Sequence, residues 1–148
     1  MGYFEVGVYN PRHSENIGTL WRSAYQLGAA GIFTIGRPYQ RQPGDVYKSG
    51  EWIPLRHYEV MEEFLAARPH GAVLVGVEMG GVPLSQFRHP EQAIYLLGSE
   101  VNGLPERVLA QCNVIVSLEA ERSASYNLAV TGSIVLYHRV FLQNSTQG

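Results

Sequence analysis

The segment Ala93-Ile-Tyr-Leu-Leu-Gly-Ser-Glu-Val-Asn-Gly-Leu104 constrains this chain more than any other. A short apolar run stops at Gly98-Ser-Glu100, and Gly103-Leu104-Pro105 then opens a helix with proline at its first position. Apolar runs of roughly four to eight residues between turn residues are strands buried on both faces. A strand that hands over to a helix leaves bare backbone amides and carbonyls at the sheet's C-terminal edge, where open α/β sheets bind ligands. A glycine at that junction keeps a Cβ from holding a flat ligand off the main chain.

The same alternation runs through the whole sequence. Residues 4–9 form a strand rich in β-branched and aromatic side chains, ended by Pro11, and Ser14 is placed to cap a following helix. That helix, over 16–27, aligns Ile17, Leu20, Trp21, Ala24 and Leu27 on one face and stops at Gly28. A strand at 31–35 precedes a polar loop at 39–51, then a brief strand at 53–58 and a short helix at 60–67. Residues 72–77 are continuously apolar, as a buried parallel strand requires, and Gly80-Gly81 is expected to break it, leaving 82–87 to wrap loosely. A helix at 105–111, a strand at 113–116, a turn at 117–125 and a largely apolar helix at 127–143 complete the pattern. The expected fold is α/β: a single domain over 1–148, with a mostly parallel sheet of five or six strands flanked by helices.

Composition narrows the function classes. A net charge of −2 argues against a broad basic surface for indiscriminate nucleic-acid binding. The cations are unevenly placed, however: Arg12, Arg22, Arg37, Arg41, Lys48 and Arg56 all fall in the first sixty residues. They are either dispersed surface charges or a basic rim at one end of the sheet, and arginine suits bidentate phosphate contacts. Cys112 is the sole cysteine, and His13, His57, His70, His89 and His138 show no metal-ligand spacing, so no metal site is expected. No run approaches the ~20 apolar residues of a membrane span. A cytoplasmic chain is expected.

Two further segments give the first one its weight. Asn10-Pro-Arg12-His-Ser-Glu-Asn16-Ile-Gly18-Thr-Leu-Trp-Arg22 leads into the first helix, whose free amides and positive end would suit an anion. Ser125-Tyr126-Asn127 leads into the last helix, where serine and asparagine are also good caps. Taken together, in this order and at these distances, the three segments resemble the SpoU class of the SPOUT superfamily, the TrmH-like RNA ribose methyltransferases. The likeness spans residues 8 to about 137.

The resemblance implies a C-terminal trefoil knot, homodimeric assembly, and S-adenosylmethionine as cofactor, leaving as S-adenosylhomocysteine. Carried over by position, cofactor contacts fall at Val77, Gly98, Val116, Ser125 and Tyr126. Arg22 matches the arginine that acts on the ribose 2′-hydroxyl, supplied from either subunit, by holding the adjacent phosphate or stabilising the alkoxide. Ser125 and Asn127 match residues that shape the catalytic loop, and Glu100 matches the motif carboxylate, with either a catalytic or a loop-anchoring task. Asn10, Arg12, Asn16 and Gly18 fall where the family orders its first loop or touches RNA.

The chain departs from the family in three ways. It has Tyr126 between the serine and asparagine, Thr131 where a small apolar residue is commoner, and a longer loop at 117–124 without the usual proline. The implied substrate is RNA: tRNA first, in the anticodon loop, with ribosomal RNA second. A non-catalytic RNA- or protein-binding relative is the competing class.

Overall fold

A computed structural model describes residues 2–40, 52–122 and 125–143. Six strands alternate with helices: β1 (Tyr3–Tyr9), α1 (Ser14–Leu27), β2 (Gly31–Ile35), β3 (Leu55–Tyr58), α2 (Met61–Ala67), β4 (Val73–Pro83), β5 (Gln92–Leu97), α3 (Glu106–Leu109), β6 (Val114–Ser117) and α4 (Leu128–Tyr137). A 3₁₀ turn, Leu84–Gln86, follows β4, and a π-helical turn, His138–Leu142, continues α4. Most of the polar loop expected at 39–51 lies outside the described residues.

The strands form one sheet in the order β3-β2-β1-β5-β4-β6, and every pairing is parallel. Alternation along each strand sorts side chains between two cores. Phe4, Val6 and Val8 of β1 and Ala93, Tyr95 and Leu97 of β5 join Ile17, Leu20 and Ala24 of α1 and Leu128, Val135 and Leu136 of α4. On the other face Phe33, Leu74, Ile94 and Leu96 pack with Met61 and Phe64 of α2 and Val108 of α3. The result is a three-layer sandwich in which α1 and α4 share one layer. Gly132 lets them meet: a Cβ there would stand 2.5 Å from Leu20.

Three local expectations are corrected. Gly80-Gly81 does not end β4; the strand slips register between Val77 and Val82 and then pairs with β6 again, Val82 opposite Val116. Glycines in a strand interior mark such irregularities as well as breaks. Ser14 does not cap α1; the N-cap is His13 without a side-chain bond, and Ser14 Oγ accepts from the Gln40 amide at 3.0 Å. The third helix is a single turn.

The π-helical turn after α4 is fixed to the sheet's N-terminal edge by a buried cation. Arg139 is 4% exposed and donates to the carbonyls of Pro90 (2.6 Å) and Glu91 (2.9 Å) and to the Tyr95 hydroxyl (3.1 Å). Its guanidinium also lies over the Phe4 ring. His89 bridges Tyr95 and His138 beside it at 2.6 and 2.8 Å. Burial, with His138 and Arg139 nearby, lowers the His89 pKa to about 3.

Candidate active site

Because all strands run the same way, their C-terminal ends share one edge, and the three sequence motifs meet there. Leu97 ends β5 and Gly98 begins a tight turn closed by Ser99 and Gly103, each donating its amide to the other's carbonyl (3.3 and 3.0 Å). Gly98 is required by this turn. A Cβ would lie 2.2 Å from the Gly103 carbonyl carbon and 2.4 Å from the Leu104 nitrogen. The reason for glycine expected above, room for a flat ligand, is therefore replaced by a nearer one: the chain's own backbone fills that space. Gly103 has φ +64° and abuts Glu78, whose Oε1 accepts the Leu104 amide at 2.8 Å.

Glu100 points from this turn into the first motif. Its carboxylate accepts the amides of Arg12 (2.8 Å) and His13 (3.2 Å) and Nδ2 of Asn16 (2.8 Å). The anion expected at the start of α1 is thus the protein's own. Burial pushes the Glu100 carboxyl up, but these hydrogen bonds outweigh it and hold the pKa below the ordinary carboxylate value. Asn16 then accepts from Asn127 Nδ2 at 3.2 Å. Asn127 Oδ1 in turn caps α4, taking the amides of Ala129 (2.9 Å) and Val130 (3.3 Å). One line of side chains, Glu100–Asn16–Asn127, ties all three motifs together.

Beside this line lies a cleft of about 560 Å³, of a size that suits a small-molecule ligand. Its walls are Val77 and Glu78 from β4, residues 97–103, Ser117 at the end of β6 and Leu118 after it, and Leu128 and Thr131 of α4, with Arg122, Ser125 and Tyr126 at the loop. The Tyr126 hydroxyl donates to the Glu119 carbonyl at 2.8 Å. Ser85 reaches the same residue through its hydroxyl, which donates to the Glu119 carboxylate.

Of the expected cofactor contacts, Val77, Gly98, Ser125 and Tyr126 line the cleft. Val116 is fully buried in the core, and its neighbours Ser117 and Leu118 take the wall instead. Asn10, just after β1, lies in the left-handed region (φ 54°) and donates its amide to the Ile35 carbonyl. Arg12 contributes its backbone, its side chain being exposed, and Gly18 faces Tyr39. Arg22 is exposed on α1 and is not among the residues that line the cleft of its own chain.

Sequence reasoning missed Glu78 and Arg122. Glu78 had a signal: a carboxylate directly after an apolar strand, where only a specific partner justifies its place. Among the described residues no cluster of metal-ligating side chains occurs, and no helix is long and apolar enough to cross a membrane.

Comparison with known proteins gives this geometry a family. A tRNA (cytidine(34)-2′-O)-methyltransferase of Ancylobacter novellus is 31% identical over 88% of this chain and 87% of its own length. A structure solved to explain 2′-hydroxyl methylation of C/U34 on tRNA superposes with TM-score 0.83 at 26% identity, covering 97% of each chain. The SpoU methyltransferase AviRb of Streptomyces viridochromogenes, in complex with AdoMet, superposes with TM-score 0.81 at 25% identity over 97% of this chain and 61% of that one. This chain spans from 8% to 87% of the length of the curated relatives it matches. The family model described as the SpoU rRNA Methylase family matches residues 3–137, and the chain belongs to that family.

Proposed function

We propose that this chain transfers a methyl group from S-adenosylmethionine to a ribose 2′-hydroxyl of RNA, acting as a homodimer in the cytoplasm. Its preferred substrate is tRNA, at a nucleotide of the anticodon loop. The observation that carries this reading is the line Glu100–Asn16–Asn127, which joins three motifs distant in sequence beside one cleft. The tRNA preference follows the Ancylobacter relative and the C/U34 structure.

The residues present fit the cofactor. Val77, Leu97, Leu118 and Leu128 offer apolar wall, while the turn at 98–103 and the loop at Ser125 offer main-chain donors and acceptors. S-adenosylmethionine supplies an electrophilic methyl whose sulfur leaves neutral, so the protein needs to align the reactants and manage the hydroxyl proton. Gly98 and Gly103 give the cleft floor its tight turn. Asn127 fixes the start of α4, and so the position of Ser125 and Tyr126 just before it. Glu100 is an organiser in this reading, because its ionised oxygens already accept three hydrogen bonds from the first motif. Arg22 holds the phosphate beside the target and stabilises the oxygen as its proton passes to solvent water; being permanently protonated, it is not the base.

Arg22 acts on the partner's cleft. The dimer reading is supported by its place outside its own cleft and by an apolar stripe along α4 and its extension. There Val130, Tyr137 and Phe141 are 45%, 50% and 59% exposed at helical spacing. Mixed dimers of Arg22→Ala with Gly98→Val test the arrangement. One intact cleft served by one intact arginine restores activity if Arg22 works in trans, and none returns if it works in cis.

The substrate is tested by incubating the protein with methyl-labelled donor and either unmodified tRNA or ribosomal RNA, then digesting to nucleosides. Label in a 2′-O-methylnucleoside from tRNA is expected. Label only from ribosomal RNA overturns the substrate, and cofactor binding without label from either makes the chain a non-catalytic relative.

A further inference from the structure

Four aromatic rings run along the outer flank of α1. Tyr39 meets Trp21 edge-on, centroids 6.0 Å apart at 79°, and Trp21 meets Trp52 edge-on at 5.8 Å and 86°. Trp52 lies flat against Tyr25 at 5.8 Å and 13°. The ladder is fixed at its middle, where Trp21 Nε1 donates to the Ile53 carbonyl at 2.8 Å. Trp21 and Tyr39 pack against the core beside the face of α1 that buries Ile17, Leu20 and Ala24, whereas Tyr25, the last ring, is 46% exposed.

Charge accompanies the rings. Arg22 precedes Tyr25 by one helical turn, so both share a face with Gly18. Arg37 is exposed two residues before Tyr39. A flat ring beside the Arg22 guanidinium, with Arg37 at the other end of the ladder, suits a nucleobase with its phosphates, since bases stack on aromatics whatever their sequence and arginine takes the backbone. A protein partner would call for a broader aliphatic patch, whereas the exposed end here is one stacked ring next to a cation.

We propose that Tyr25, backed by Trp52, is a stacking platform for an unpaired base of the RNA substrate, adjoining the nucleotide whose ribose Arg22 serves. This rests on the RNA methylation reading above. It also explains how a chain of net charge −2 holds RNA without a broad basic surface.

The test compares wild type, Tyr25→Ala and Tyr25→Phe for affinity to a short oligouridylate and to unfractionated tRNA. S-adenosylhomocysteine affinity and sedimentation are measured alongside. Tyr25→Ala should bind both RNAs about 5- to 100-fold more weakly, and Tyr25→Phe should stay near wild type. Cofactor-product affinity and association state should hold in both variants. Unchanged RNA affinity in Tyr25→Ala overturns the proposal. A change in association state also overturns it and makes the ring a subunit contact. If wild type binds S-adenosylhomocysteine but neither RNA, the platform falls while the cofactor site stands; if it binds none of them, the functional reading itself fails.

Discussion

The two edges of the sheet use polar side chains in opposite ways. At the N-terminal edge Arg139, His89 and Tyr95 are buried, and they hold the turn after α4 against Pro90 and Glu91. At the C-terminal edge Glu100, Asn16 and Asn127 lie half in solvent and hold loops to one another beside an open cleft. Buried polar groups are expensive to leave unpaired, so the first set works as a fastener. The second set tolerates water, and what it fixes is the relative position of three backbone segments. Both edges fasten backbone segments, the first through buried groups and the second beside a cleft.

That contrast can be broken most forcefully at Arg139. Arg139→Ala leaves two carbonyls and the Tyr95 hydroxyl without their donor and is expected to cost about 3 kcal/mol or more in denaturant unfolding. Molecules that remain folded should keep their cofactor affinity. Gly98→Val drives a side chain into the Gly103–Leu104 backbone. It should cost up to about 3 kcal/mol and abolish S-adenosylhomocysteine binding in calorimetry. Arg22→Ala sharpens the distinction from the other side: activity should fall about 100-fold or more. Its thermal midpoint should stay close to wild type, because the residue is exposed. Glu100→Gln should cost about 1–2 kcal/mol. A double-mutant cycle with Asn127→Ala should show coupling, as expected of residues joined through Asn16.

Acid should act on both edges in the same direction. The folded pKa of His89 lies near 3 against 6.5 for the free side chain, so its neutral form favours folding above about pH 6.5. That contribution drains away as pH falls from there towards 3. Glu100 is also held low, so its share is lost only further into the carboxylate range. Unfolding midpoints followed from pH 7 to 4 should decline, and His89→Gln should flatten the upper part of the decline.

Much of this was legible in the residues. Apolar runs between turn residues and the helical face of α1 marked the alternating strands and helices, and the three motifs marked the edge that carries the cleft. What the chain hid depends on contacts between distant segments. The register slip at Gly80-Gly81 exists because β6 offers β4 a second pairing after the bulge, which no local pattern encodes. Ser14 was free to cap α1 until the Gln40 amide took its hydroxyl. Gly98 was recognised as necessary, but its nearest neighbour proved to be the following turn. Glu78 escaped notice because its partner, the Leu104 amide, is 26 residues away.

The most direct measurement of the central claim is a titration of the isotopically labelled protein with S-adenosylhomocysteine, followed by backbone amide chemical shifts. The account predicts one site per chain, with perturbations concentrated at 77–79, 98–103 and 117–126 and little change at His89, Tyr95 and Arg139. Shifts centred on that buried cluster, or saturation with no shift in the three motif loops, would contradict it.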